Sequence, residues 1–262
     1  MTSLSEAYSA TGQAWQAGPG KVYDRLADEL AARCPVRLEG ARVLDLGAGT
    51  GAGSRAAQRR GAEVVAVDVA VGMLEVDADA RPPAAVGDAL GLPFAGGAFD
   101  VVLAAFSLNH LADPVAGLRE AARVLRPGGG LVVATYASDD DHPVKRATEA
   151  AAAARGWRRE PWYEALQTEI VPRLATLERA AGVASAAGLT GADVANVRVP
   201  FPRLGPHDLV AWRLGMAHLA PFVGHLPPSE QVALAADAVA RLGPGAPALV
   251  SSLVLLAWRR PE

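Results

Sequence analysis

The segment Val43-Leu44-Asp45-Leu46-Gly47-Ala48-Gly49-Thr50-Gly51-Ala52-Gly53 decides the fold. Val43, Leu44 and Leu46 supply an apolar strand, and four glycines supply a turn without side chains. Such a turn lets the backbone approach a ligand closely and leaves free N–H groups at the start of the next helix. A nucleotide-like cofactor is expected there, and its identity decides what the protein does.

Outward from this turn, strand and helix signals alternate. Short apolar, β-branched runs of the kind buried in parallel sheets lie at 42–46, 63–68, 84–88, 99–107 and 131–136. Helical stretches lie between them at 51–60, 71–79 and 114–125. Asp113 is a natural N-cap for the last, and Pro114 suits its first turn. Arg126-Pro127-Gly128-Gly129 is expected to stop that helix. The alternation predicts an α/β, Rossmann-like, doubly wound sheet. Two more strands are expected at 193–201 and 251–259, separated by helical segments near 206–219 and 229–242. The connection 137–171, with Trp157, Trp162 and Tyr163, is longer than a plain strand-to-helix link. We divide the chain into an N-terminal helical lid (1–40), a cofactor-binding core (41–136) and a segment (137–262) that completes the sheet and carries helical substrate-cover insertions. All three belong to one elaborated domain.

At 262 residues, 51% hydrophobic and 20% charged, the chain has a globular composition with enough length for a sizeable core. A net charge of −3 gives no general attraction to phosphate backbones, so a nucleic-acid partner is not expected. The single cysteine, Cys34, excludes an internal disulfide or a cysteine metal site and reads as a small packed residue. The N-terminus lacks the basic and apolar regions of a signal peptide. The apolar stretch 248–258 is far short of the roughly 20 residues a membrane helix needs. A cytoplasmic monomer or homodimer without a membrane span is expected.

The glycine turn alone leaves the cofactor open. Gly47-x-Gly49-x-x-Ala52 also satisfies the loose dinucleotide fingerprint of NAD and FAD proteins. Asp68, at the end of the second strand, would accept hydrogen bonds from ribose hydroxyls in either case, or merely cap the next helix. Three features separate the readings. Asp45 stands inside the first strand, where a buried carboxylate needs turn N–H groups or a cofactor ammonium as partners. The third strand ends in Gly87-Asp88-Ala89, before Leu92-Pro93-Phe94, which puts a carboxylate where it can accept from an adenine amino group. The segment Arg123-Val124-Leu125-Arg126-Pro127-Gly128-Gly129 leads into the fifth strand.

Together these segments resemble the class I S-adenosylmethionine-dependent methyltransferases, most closely the ubiquinone/menaquinone-biosynthesis-like branch that acts on small molecules. The resemblance is strong over 41–136 and extends by layout to the rest. It implies a seven-stranded sheet, mostly parallel with the last strand antiparallel, and helical lid insertions. It implies S-adenosyl-L-methionine as methyl donor and S-adenosyl-L-homocysteine as product. Carried over by position, Gly47, Ala48 and Gly49 would lie against the methionine part and Asp68 would hold the ribose. Val69 and Met73 would flank the adenine, although Met73 also reads as plain core. Asp88 and Ala89 would contact the adenine edge, and Ala105 with Phe106 would close the site.

The cofactor carries the activated methyl, so the protein has to align an acceptor and exclude water. A general base is needed only for a neutral hydroxyl or a weakly acidic carbon. His110, after the fourth strand, is the first candidate base, although a histidine at this position in the family also orders the loop. Asn109 is a candidate for orienting the acceptor. His142 follows Asp139-Asp140-Asp141 after the fifth strand, near the expected acceptor mouth. Consecutive residues cannot easily all face one ion, so a solvated turn is expected there and no metal. Insertions rich in Leu, Val, Ala, Trp and Phe point to a hydrophobic acceptor. The absence of Asn-Pro-Pro-Tyr after the fourth strand argues against adenine or glutamine N-methylation. The expected reaction is methyl transfer to an oxygen or carbon of a hydrophobic metabolite, natural-product tailoring being one setting for it. The alternatives are a non-methylating enzyme on the same fold, such as a cyclase, and a non-catalytic cofactor-binding partner. The intact glycine turn, Asp68 and Asp88 speak against a degenerate site.

Overall fold

The computed structural model describes residues 4–262. Helices α1 (Leu4–Ser9), α2 (Gly12–Ala17) and α3 (Gly20–Ala31) precede the sheet. Strands β1 (Arg42–Leu46), β2 (Glu63–Asp68), β3 (Ala84–Val86), β4 (Phe99–Ala105) and β5 (Leu125–Tyr136) pair in parallel. They are joined by α4 (Ala52–Gln58), α5 (Val71–Leu74) and α6 (Pro114–Val124). Beyond β5 come α7 (Pro143–Ala153), α8 (Pro161–Ala165), α9 (Leu177–Ala186), β6 (Asp193–Phe201), α10 (Pro206–Leu214), α11 (Ala220–His225), α12 (Pro228–Leu242) and β7 (Leu249–Arg259). The strand order is β3-β2-β1-β4-β5-β7-β6, and β7 runs antiparallel to both of its neighbours. This is the seven-stranded, mostly parallel sheet that the sequence implies.

Side-chain alternation along the central strands builds two cores. Val43, Val101, Leu103, Val132 and Ala134 face α3, α4, α7, α10 and α12. Leu44, Leu46, Val102, Ala104, Leu131 and Val133 face α6 and α9. Strands apolar on both faces belong in a sheet covered on both sides, and the helices provide that cover.

Several element boundaries differ from the sequence reading, β4 ending two residues early at Ala105 and β7 beginning two residues early at Leu249. Strand β5 begins at Leu125 rather than 131: Leu125 pairs with Phe99, residues 126–129 loop out, and pairing resumes with Gly130 opposite Val101. The excursion is held by the C-terminal segment, where the Gly128 N–H donates to the Arg260 carbonyl (3.0 Å) and the Arg260 N–H to that of Gly129 (2.8 Å). Helix α6 has already ended at Val124, so Arg126-Pro127-Gly128-Gly129 shapes a bulge. Helix α5 stops at Leu74 and not near 79, with Asp77 in the left-handed region (φ 51°). Aspartates favour local turns over helix interiors, and Pro82-Pro83 bars continuation. Strand β3 ends at Val86, two residues early.

Helices α1 and α2 lie backbone-on-backbone against α5. A Cβ on Gly12 would fall 2.4 Å from the Gly72 carbonyl oxygen, and one on Gly72 2.1 Å from that of Ser9. This contact sets the N-terminal helices over the carboxyl end of β2. Among the described residues no helix is long and apolar enough to cross a membrane.

Asp113 Oδ1 accepts from the Ala116 N–H at 2.9 Å and caps α6, the helix that covers β4 and β5. Asp113→Ala should lower the unfolding free energy by about 1 kcal/mol. Urea denaturation will show this as a shifted midpoint with unchanged slope.

Candidate active site

The eleven residues expected around the cofactor come from five different loops and strand ends, and all of them line one cavity. These are Asp45, Gly47, Ala48, Gly49, Asp68, Val69, Met73, Asp88, Ala89, Ala105 and Phe106. The cavity lies at the carboxyl ends of β1, β2, β3 and β4, where open α/β sheets take their ligands.

Its floor is the glycine turn. Gly47 has φ +70°, and a Cβ there would sit 2.2 Å from Ser107 Cβ. Ser107 is held in turn by its hydroxyl, which donates to the Leu46 carbonyl at 2.6 Å. Within the turn, Gly47 and Ala48 donate to the Val67 carbonyl (2.8 and 3.0 Å) and Gly49 to Asp68 Oδ2 (2.7 Å). These glycines therefore offer a ligand close backbone approach while their own N–H groups hold the turn in place.

Three carboxylates stand around it. Asp45 is fully buried; Oδ2 accepts from the Ser54 hydroxyl at 2.7 Å, while Oδ1 has no partner among the described residues. Burial pushes its pKa up to about 6, against the opposing hydrogen bonds from Ser54. Asp68 accepts one N–H at each oxygen, from Gly49 and from Ala70 (2.8 Å). It therefore does cap the start of α5, and a lone pair on each oxygen is still available to a ligand. Burial raises its pKa, opposed by these hydrogen bonds and by Arg81. Asp88 is exposed, with Oδ1 accepting from the Leu90 N–H at 2.9 Å.

Sequence reasoning missed Arg81. Its guanidinium donates to the Gly49 carbonyl (3.0 Å) and to those of Met73 and Leu74 (3.2 and 2.6 Å), clamping the glycine turn to α5. It lies in a segment without periodicity, so no local pattern marks it.

A second cavity of about 320 Å³ adjoins the first and shares Tyr8, Tyr23, Phe106 and His110 as walls. Its lining adds Asn109, Tyr136, Trp162, Tyr163, Trp212 and Arg213. Aromatic rings run through the shared wall: Trp15 on Tyr23 (4.9 Å), Tyr23 on Phe106 (5.3 Å), and Phe106 on Tyr136 (4.7 Å). Phe106 has φ +60°, a strained conformation for a bulky side chain. Burial pushes the Tyr23 hydroxyl to about 12 and raises those of Tyr8, Tyr136 and Tyr163, so all four stay neutral donors.

The three catalytic candidates separate. His110 sits where both cavities meet, with Nε2 3.0 Å from Tyr8 Oη. Burial lowers its pKa to about 4, so the ring is neutral near pH 7 and a weak proton acceptor. Asn109 lines the second cavity, with Oδ1 buried and unpartnered among the described residues. His142 lines neither cavity: Nδ1 accepts from the Val144 N–H (3.2 Å) and Nε2 donates to the Pro247 carbonyl (2.9 Å). Its side chain caps α7, which corrects its placement at the acceptor mouth. The preceding aspartates are engaged separately, Asp140 with Lys145 (2.8 Å) and Asp141 with Arg146 (2.6 Å).

Comparison with known proteins meets this geometry at the same segments. Residues 44–133 match the family described as a methyltransferase domain. Demethylmenaquinone methyltransferase of Mycolicibacterium paratuberculosis is 48% identical over 99 residues, covering 38% of this chain and 43% of that protein. The enzyme of the same name from Beutenbergia cavernae is 41% identical over 138 residues, covering 52% and 55%. Residues 44–133 carry a methyltransferase domain. The matched part spans about half the length of these curated relatives. Over nearly its whole length this chain also shares its fold with solved structures. Haemonchus contortus phosphoethanolamine N-methyltransferase 2 superposes with a TM-score of 0.60 at 22% identity, covering 97% of this chain and 58% of that one. The [4+2]-cyclase SpnF gives 0.55 at 24%, covering 91% and 80%. One fold thus serves more than one reaction, and the choice rests on the site.

Asp45 yields a test by pH. Its carboxyl holds a proton in the fold up to about 6, where the unfolded chain releases it near 3.8. Between those values the native state binds more protons, so this contribution is fully present below the lower value and is lost as pH rises through the upper. The ligand-free protein should lose on the order of 3 kcal/mol relative to Asp45→Asn between pH 4 and pH 7. Urea midpoints of both proteins across that range measure it; a constant difference would mean that Asp45 titrates normally.

Proposed function

We propose that this chain transfers the methyl group of S-adenosylmethionine to an oxygen or carbon of a hydrophobic small molecule. The observation that carries the reading is the pairing of two cavities. One is a glycine turn ringed by Asp45, Asp68 and Asp88, and it shares an aromatic wall with an acceptor-sized chamber.

The residues present fit the cofactor. The unpartnered Asp45 Oδ1 is an acceptor with nothing to accept from, which suits an ammonium donor. The remaining lone pairs of Asp68 suit ribose hydroxyls, and Asp88 at the cavity rim suits an adenine amino group. When bound, the cofactor supplies a methyl activated by a sulfonium, so the chain needs no strong nucleophile of its own. Tyr8, Tyr23, Phe106 and His110 orient the acceptor at the junction and keep water from it. Such alignment supplies several kcal/mol of the barrier, up to about 7–11 in ideal cases. With its pKa near 4 and Nε2 engaged by Tyr8, His110 is better suited to holding this junction than to taking a proton. An acceptor that ionises before transfer needs no base. The names of the curated relatives support a flat, quinone-like ring system, and the aromatic lining of the second cavity suits one.

Incubation with methyl-labelled S-adenosylmethionine and a panel of reduced naphthoquinones and phenols should place the label in product. A product formed without label would move the chain to a non-methylating chemistry. Asp68→Ala should weaken S-adenosylhomocysteine binding by about 1–3 kcal/mol, or tenfold to a hundredfold, in calorimetry. Unchanged affinity would mean that the ribose is held elsewhere.

A further inference from the structure

The second cavity contains a buried cation without a counter-ion. Arg213, on α10, is 5% exposed and lines this cavity but not the first. It forms no ion pair with any carboxylate among the described residues. Its guanidinium meets neutral groups: His218, with Nη2 3.3 Å from Nε2, the Tyr163 hydroxyl, and the Trp212 ring, whose centroid lies 5.4 Å from Cζ. Burial and the positive charges of Arg213 and Arg159 hold that imidazole neutral, so it supplies no negative charge. The nearby carboxylates are taken: Glu149 by Arg159 at 2.6 Å and Asp140 by Lys145 at 2.8 Å. A buried guanidinium is ordinarily retained only when something pairs with it.

Four orphaned atoms line the same space, among them Trp212 Nε1–H, a donor, and Asn109 Oδ1, an acceptor. Arg213 Nε–H and the Tyr136 hydroxyl are both buried donors without a partner among the described residues. Tyr8, Tyr23, Tyr136 and Tyr163 line the same cavity as Arg213. A planar fork of N–H donors set among neutral hydroxyl donors, with apolar rings around them, matches a carboxylate on an apolar body.

We propose that the acceptor bears a carboxylate, and that Arg213 seats it in the second cavity with Tyr136 as an additional donor. The inference deepens the methyl-transfer reading and rests on it. Arg213 lies on the acceptor side of the shared wall, so it is a specificity-determining residue that sets which substrates enter and how they lie. The substrate class becomes amphiphilic: an aromatic or polycyclic acid, where the apolar lining alone would admit any neutral ring system.

The test uses matched pairs of probes, benzoate with benzamide, 2-naphthoate with 2-naphthamide, and 4-phenylbutyrate with its amide. Each is titrated calorimetrically into the full chain saturated with S-adenosylhomocysteine. At least one carboxylate should bind ten times or more tighter than its amide. Arg213→Met should abolish that preference while leaving S-adenosylhomocysteine affinity as in the wild type, and Arg213→Lys should keep part of it. No preference in any pair, or a preference that survives Arg213→Met, would overturn the inference. Should Arg213→Met fail to fold, a preference in Arg213→Lys equal to that of the wild type would overturn it as well, because the fork is then irrelevant. The first titration separates the two readings: failure of S-adenosylhomocysteine to bind counts against the methyltransferase reading, whereas its binding without carboxylate preference counts against this inference alone.

Discussion

The carboxylate of Asp68 accepts from Gly49 on one side and from Ala70 on the other, and by doing so it joins the turn after β1 to the start of α5. Everything around the first cavity follows from that bridge. Arg81 reinforces it through three backbone carbonyls, and α5 so fixed becomes the seat on which α1 and α2 rest. The N-terminal helices then bring Tyr8 and Trp15 to the cavity wall. One charged side chain thereby couples a ligand contact to the position of a segment some 60 residues earlier in the chain. Hydrogen bonds to an ionised acceptor are about twice as strong as neutral ones, so a carboxylate can hold such a junction where a neutral side chain would yield.

Among the described residues, nine buried side-chain atoms find no hydrogen bond, and five of them line the two cavities: Asp45 the first, and Asn109, Tyr136, Trp212 and Arg213 the second. The other four, on Gln16, Arg81, Arg155 and Ser251, line neither. Each orphan costs stability, on the order of 1–3 kcal/mol. The five in the cavities are groups that a polar ligand can satisfy, a carboxylate in the first space and a guanidinium in the second. The dividing wall is aromatic and neutral, with its tyrosines kept protonated by burial.

The first half of the fold was legible because its signals are local. The strand at 42–46, the glycine turn, Asp68 and the Asp113 cap each sit inside a few consecutive residues whose types dictate their geometry. The seven-stranded sheet with its antiparallel last strand and the eleven cavity-lining residues followed from spacing and resemblance together. What escaped depends on contacts between distant segments. Arg81 reaches the glycine turn from a stretch with no period. His142 looked like an acceptor-side base beside three aspartates, yet the Pro247 carbonyl, over a hundred residues on, turns it into a cap. Arg213 carries no motif at all, and only burial distinguishes it from any other arginine.

Phe106 stands at the centre of the wall with its backbone in a region that suits glycine. Glycine there would relax the main chain but would empty the ring's place between Tyr23 and Tyr136, and a buried aromatic lost costs about 3–5 kcal/mol, more than the strain of about 1–3. The packing of the ring therefore holds the backbone in a conformation it would not take alone. The wall is self-supporting: the side chain that divides the two spaces is also the weight that keeps the end of β4 bent.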